Sequence, residues 1–101
     1  MHFPKISIVT PAYNCRNLVS STLDSVLNQG YPNLEYIVID GGSSDGTAQV
    51  IEQYADRLSY WHSQKDRGQY DAINQGFAKS TGDIMCWLNA DDMLLPKSLF
   101  V

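Results

Sequence analysis

The run Tyr36-Ile37-Val38-Ile39 places four apolar residues in succession and ends on Asp40. A half-buried strand alternates apolar and polar residues, so an unbroken apolar run implies a strand covered on both faces, as inside a parallel sheet flanked by helices. Ile6-Ser7-Ile8-Val9-Thr10, stopped by Pro11, reads as a second buried strand. Ile84-Met85-Cys86-Trp87-Leu88 reads as another, buried on both faces like the first. Leu58-Ser59-Tyr60-Trp61-His62-Ser63 is more polar and suits a position nearer an edge. Between the runs lie helical spacings: Leu18, Val19, Leu23, Val26 and Leu27, closing near Gly30; Val50, Ile51, Tyr54 and Ala55; and Tyr70, Ile73, Phe77 and Ala78, closing at Thr81-Gly82. Pro96 to Val101 would begin a fourth helix. Strands alternating with helices imply right-handed crossovers, and the expected class is α/β, an open, mostly parallel sheet with flanking helices.

At 101 residues, 44% of them hydrophobic and 18% charged, the chain has the size and composition of one globular domain over residues 1–101. A formal charge of −4 with scattered basic residues argues against a nucleic-acid partner held by bulk charge. No apolar run reaches the roughly 20 residues of a membrane span, and Met1-His2-Phe3-Pro4-Lys5 lacks a signal-peptide pattern. The expected location is cytoplasmic, or peripheral at the inner face of a membrane. Cys15 and Cys86 lack CxxC spacing and read as free thiols, while His2 and His62 show no ligand spacing and read as ordinary surface or strand histidines.

In a parallel sheet every strand-to-helix loop leaves the same edge, the edge where open α/β folds bind ligands. That places Tyr13, Asp40, Asp66 and Asp91 together. Each has a plain alternative: core packing for Tyr13, a turn or helix cap for Asp40, and a solvated turn or cap for the adjacent carboxylates Asp91 and Asp92. Asp66 and Asp71 flank a loop that either approaches a ribose or phosphate or is simply solvated, with Asp71 in a first helical turn. Neither a Gly-x-Gly-x-x-Gly nor a P-loop pattern is present, so a bound phosphate needs another counter-charge. A hard divalent metal at Asp91, bound through oxygen and shared with a diphosphate, is one such counter-charge. A triad of serine, histidine and acid is not readable.

The ordered set Ser7-Ile8-Val9-Thr10-Pro11-Ala12-Tyr13-Asn14, Tyr36 through Thr47, Asp66-Arg67-Gly68-Gln69-Tyr70-Asp71-Ala72-Ile73-Asn74-Gln75-Gly76 and Gly82-Asp83 through Asp91-Asp92 resembles the amino-terminal half of family 2 glycosyltransferases. The resemblance implies inverting enzymes with the Rossmann-like A-type glycosyltransferase fold. It implies that Pro11, Ala12 and Tyr13 line a nucleobase pocket, that Asp40 binds uracil or an equivalent base, and that Asp66 and Gly68 lie beside the nucleotide. Asp91 matches the last acid of the Asp-x-Asp motif that holds Mn²⁺ or Mg²⁺ on the diphosphate, with Asp92 as a second candidate. Asn89 stands where that motif has its first Asp; an amide can meet a ribose hydroxyl but brings no charge. The implied ligand is a nucleotide sugar, with a UDP-sugar first, and the implied acceptor a saccharide or lipid-linked glycan. In the family the catalytic base comes from beyond the Asp-x-Asp strand, and nothing here matches it. The chain is therefore expected to be the donor half, self-associating through an uncovered sheet edge. The alternative expectation is a nucleotide-binding or assembly module without turnover.

Overall fold

The structure, a computed structural model, describes residues 3–96 and 98–100. His2, Lys97 and Val101 lie outside the described residues, and with them the histidine reading at position 2 and part of the expected fourth helix. Four strands form one sheet: β1 (Ile6–Ala12), β2 (Leu34–Asp40), β3 (Tyr60–Ser63) and β4 (Ile84–Trp87). Its spatial order is β3-β2-β1-β4, and every pairing is parallel. The connecting helices are α1 (Arg16–Leu27), α2 (Thr47–Glu52) and α3 (Gln69–Lys79). No helix among the described residues is long and apolar enough to cross a membrane.

Strand order dictates the layers. The steps from β1 to β2 to β3 run in one direction, so right-handed crossovers put α1 and α2 on the same face. The return from β3 across to β4 reverses direction and puts α3 on the other face. The core divides accordingly, by the two-residue period of the strands. Ile6, Ile8, Ala12, Tyr36 and Val38 pack with Val19, Leu23, Val26 and Ile51 of α1 and α2. Val9, Ile37 and Ile39 pack with Ala72 of α3. Both faces of β1 and β2 are thus covered, as their unbroken apolar runs require. Tyr36 carries its hydroxyl into this core and bonds Thr10 at 2.7 Å, so the buried phenol is satisfied.

Five expectations are corrected. Pro11 does not end β1, which continues through Ala12 in register with Ile39 and Asp40 of β2. The carbonyl of Val9 accepts from Leu88 on the β4 side, so Pro11, two residues on, faces the same side beyond the end of that ladder, where its missing N–H costs no bond. The strand β4 is not buried: Ile84, Met85 and Trp87 are 48%, 54% and 44% exposed. It is the edge of the sheet, and α3 lies over β1 and β2 instead. Leu18 and Tyr70 are 52% and 78% exposed because each lies in the first turn of its helix, at the carboxyl edge of the sheet rather than over it. Helix α2 ends at Glu52, leaving Tyr54 to donate to the Asp24 carboxylate at 2.9 Å and Ala55 to open a 3₁₀ turn, Ala55–Arg57. Where a fourth helix was expected there is a 3₁₀ turn, Ser98–Phe100.

Helix α3 approaches β1 where Gly76 meets Val9: a Cβ on Gly76 would overlap both Val9 methyls, one of them at 2.8 Å. Gly76→Ala should therefore destabilise the protein by about 1–3 kcal/mol, the usual cost of overpacking. Val9→Ala in the same chain should return part of that loss, read as a non-additive shift in urea midpoints.

At the amino end of the sheet, Glu35 accepts from the Ser7 hydroxyl at 2.7 Å and from the Thr81 N–H at 2.8 Å, with the Lys5 ammonium at 3.5 Å. Burial works against ionisation of Glu35, but these donors outweigh it and leave its carboxyl below the ordinary value. A lowered folded value means that the stabilisation is complete above the unfolded value of about 4.3 and disappears as pH falls through the folded one. Glu35→Gln should cost about 1 kcal/mol at neutral pH, and its unfolding curve should converge with that of the wild type below pH of roughly 4.

Candidate functional site

The sheet reverses its winding between β1 and β4, so a crevice opens at their carboxyl ends. A cleft of about 620 Å³ lies there, lined by Pro11, Ala12, Tyr13, Asn14, Cys15, Leu18, Gly41, Lys65, Asp66, Gly68, Gln69, Ala72, Asn89, Ala90 and Asp91. Of the residues singled out in the sequence, seven meet in this cleft: Pro11, Ala12, Tyr13, Asp66, Gly68, Asn89 and Asp91. Three do not: Asp40, Asp71 and Asp92. Tyr13 is 65% exposed, which removes core packing as its role and leaves an aromatic residue on the cleft wall.

The loops after β1 and β2 are zipped together. Asn14, in the left-handed region at φ 46°, donates its N–H to the Ser43 hydroxyl at 2.8 Å and accepts from the Ser44 N–H at 2.9 Å through its side chain. The Cys15 N–H donates to the Thr47 hydroxyl at 2.9 Å. Asp45 accepts from the N–H of Arg16 at 3.2 Å and of Thr47 at 3.0 Å, so one carboxylate serves the starts of both α1 and α2. The Thr47 hydroxyl chiefly, with these N–H groups, holds Asp45 below the ordinary carboxylate value against the opposing effect of burial. Cys15 and Cys86 are free thiols, as expected; burial pushes the Cys15 thiol up and keeps it protonated in the cleft.

Asp40 is fully buried beneath these loops. Its Oδ2 accepts from the Gly42 N–H at 3.1 Å, the Ser43 N–H at 2.9 Å and the Ser63 hydroxyl at 2.7 Å, and its Oδ1 accepts from the Ser43 hydroxyl at 2.6 Å. Asp40, to which the resemblance gives a base contact, is not among the residues lining the cleft. Its acceptor capacity goes to the turn that follows it, which is the capping alternative. Asp71 resolves in the same way: it lies in the first turn of α3 and accepts from the Arg67 N–H at 2.8 Å, the contact that chiefly lowers its carboxyl. Asp66 instead faces the cleft, with Oδ1 accepting from the Gly68 N–H at 2.9 Å.

The loop after β4 is held by a polar stripe on α1 that sequence reading missed. The buried Thr22 hydroxyl reaches the carbonyls of Ala90, at 2.8 Å, and Asp92. Ser25 accepts from the Leu94 N–H at 3.0 Å, and Gln29 donates to the Leu95 carbonyl at 2.8 Å. Their positions, i, i+3 and i+7, place them on one helical stripe beside Val19, Leu23 and Val26, a signal that was available in the sequence. The anchor leaves the Asp91 side chain exposed on the cleft, while Asp92 is exposed outside it. Across the cleft, Gln69 at the start of α3 donates its amide N–H to Asn89 Oδ1. Among the described residues no three His, Cys, Asp or Glu side chains converge to cage a metal. The donor set fits another mode, in which Mg²⁺ or Mn²⁺ takes one or two protein carboxylates and completes its shell from substrate phosphates and water.

The family model described as Glycosyl transferase family 2 matches residues 7–100. The chain belongs to that family. An uncharacterized glycosyltransferase of Mycobacterium tuberculosis is 38% identical over 90 residues, covering 88% of this chain and 34% of the relative. The mannosyltransferase PcManGT from Pyrobaculum calidifontis, solved with GDP-Man and Mn²⁺, superposes with a TM-score of 0.85 at 28% identity, over 95% of this chain and 30% of that one. Residues 1–349 of S. aureus TarS, solved with UDP-GlcNAc, give a TM-score of 0.82 at 25% identity, over 95% of this chain and 29% of that one. The chain thus spans about a third of the length of these relatives, and the α/β Rossmann-like fold of A-type glycosyltransferases is shared with them.

Thr22→Val removes the hydroxyl at nearly constant shape and leaves the Ala90 and Asp92 carbonyls without it. The expected cost is about 1–3 kcal/mol, together with faster hydrogen exchange at the amides of Asp92 and Leu94, whose acceptors are Asn89 and Ser25.

Proposed function

We propose that the cleft binds the nucleoside diphosphate of a sugar donor, a UDP-sugar first, with a divalent metal at Asp91, as the donor half of an inverting glycosyltransferase. The observation that carries this reading is the pairing, in one switch-point cleft of a family 2 chain, of an exposed aromatic face at Tyr13 with an exposed carboxylate at Asp91. The neighbouring structures with GDP-Man and Mn²⁺ and with UDP-GlcNAc support the same ligand class. Tyr13 stacks on the base, Pro11 and Ala12 wall the pocket, and Gly68 brings backbone close to the nucleotide. Asp91, with Asn89 beside it, would hold Mn²⁺ or Mg²⁺, which neutralises charge on the departing diphosphate. Gln69 fixes the Asn89 amide, so that Asn89 orients a ribose hydroxyl rather than adding charge. Transfer is an in-line displacement by an acceptor hydroxyl of a saccharide or lipid-linked glycan. The base that takes the hydroxyl proton belongs to the part of the family lying beyond the residues matched here.

Calorimetry with UDP tests the reading on the chain as it stands. Binding should require Mn²⁺ or Mg²⁺ and be abolished by EDTA; Asp91→Ala should remove the metal dependence and weaken UDP by on the order of tenfold or more. Equal affinity with and without metal in the wild type would take Asp91 out of the metal role.

A further inference from the structure

The glycine at position 41 has no conformational reason to be one. Its φ is not among the left-handed values, which belong to Asn14, Gly30, Gly42, Gly46 and Gly68, and its N–H makes an ordinary strand-end bond to the Ala12 carbonyl at 2.9 Å. What excludes a side chain is Asp66. A Cβ at position 41 would lie 2.9 Å from Asp66 Oδ1, 3.0 Å from Oδ2 and 3.2 Å from Cγ. The Asp66 carboxylate therefore occupies the space on the cleft wall that any side chain at position 41 would fill. It comes from the loop after β3 but is seated against the end of β2.

We infer that Asp66, admitted by the missing side chain of Gly41, is the carboxylate that reads the nucleobase, accepting the base's ring N–H through Oδ2. The inference rests on the nucleotide reading of the cleft and moves the base contact from Asp40 to Asp66. Asp40 is sealed by four donors. In Asp66, Oδ1 is held by the Gly68 N–H, which fixes the side chain, while Oδ2 accepts no hydrogen bond among the described residues. An ionised carboxylate is acceptor-only. It suits uracil, whose N3–H points outward, or guanine, with its N1–H and N2–H. Adenine and cytosine present a ring-nitrogen lone pair at the equivalent edge and are repelled. Lys65 lines the same cleft and supplies a donor for the carbonyl that flanks the ring N–H in uracil and guanine. A base stacked on Tyr13 is then selected at its edge by Asp66 and Lys65.

The test uses the 101-residue chain with saturating Mn²⁺ and calorimetric titration of UDP against its N3-methyl analogue, with GDP and N1-methyl-GDP as the parallel pair. The wild type should bind the parent nucleotide roughly 10–100-fold tighter than the methylated one, as loss of a hydrogen bond to a charged group implies. Asp66→Ala should erase that difference, and Gly41→Ala should reduce it by displacing the carboxylate. The double exchange Gly41→Asp with Asp66→Gly, which returns a carboxylate to the same space, should recover discrimination. Equal binding of parent and methylated nucleotide by the folded wild type overturns the inference, and so does discrimination that survives in Asp66→Ala. Should Asp66→Ala fail to fold by circular dichroism, the ligand pair on the wild type decides alone. Absence of binding by any nucleoside diphosphate in the wild type instead overturns the parent reading of the cleft.

Discussion

A buried charge is tolerable only where donors replace its water, and the Asp40 carboxylate imposes that condition on the whole carboxyl edge of the sheet. Its four donors come from the turn after β2 and from the end of β3. Ser43 passes the constraint on, since the hydroxyl that donates to Asp40 also accepts from the Asn14 N–H. Three strand ends are thereby tied through one carboxylate, and Tyr13, next to Asn14, inherits a fixed position. The short polar side chains and glycines of residues 41–47 supply donors and tight turns at the density such a buried charge demands. This makes Asp40 a positioning residue for the cleft rather than one of its walls.

The two ends of the sheet divide the labour. At the amino end Lys5, Glu35, Ser7 and Thr81 form a network that ties the approach to β4 onto β1 and β2, and Gly82 donates its N–H to the Ser7 hydroxyl at 2.8 Å. Gly76 and Gly82 both lack side chains where α3 and the β4 approach press on β1, against Val9 and Ser7 respectively. The central strand is thus packed closely from one face and along one edge, which leaves the carboxyl-end loops free to be polar and open. The cleft can then be acidic and hydrated at little cost to the core.

How much of this was legible follows from which forces are local. Periodicity is local, so the α/β class, the parallel sheet and the two-faced burial of β1 and β2 could be read from apolar runs and helical spacings. Burial of β4 could not: an apolar strand states that it can be covered, not what covers it, and here β1 is its one strand neighbour while α3 lies over β1 and β2. Leu18 and Tyr70 carry the helical apolar pattern yet point off the end of the sheet, because the spacing does not say where along a helix the sheet stops. Of the four residues expected to converge, Tyr13, Asp66 and Asp91 do line the cleft, which was legible because parallel topology forces it, and Asp40 does not. The division between Asp40 and Asp66 was not, since it depends on a side chain from one loop filling the space left by a glycine in another. Thr22, Ser25 and Gln29 were legible in spacing and were missed because their partners are backbone carbonyls and amides, which no residue type announces.

Adjacent carboxylates at Asp91 and Asp92 raise an electrostatic problem that the fold solves by separating them. Thr22 grips the backbone carbonyls on either side of Asp91, which directs that side chain to the cleft and leaves Asp92 in bulk solvent, where screening makes its charge cheap. Asn89 then acts in the same sense. A third carboxylate beside Asp91 and Asp66 would add like charge to the cleft, in a chain whose net charge is already −4. An amide held by Gln69 keeps the hydrogen-bonding geometry without that repulsion. On the proposed reading, Asp91 is matched to a metal that would arrive with its phosphate, since Mg²⁺ and Mn²⁺ take one or two protein carboxylates and complete their shell from phosphate oxygens and water.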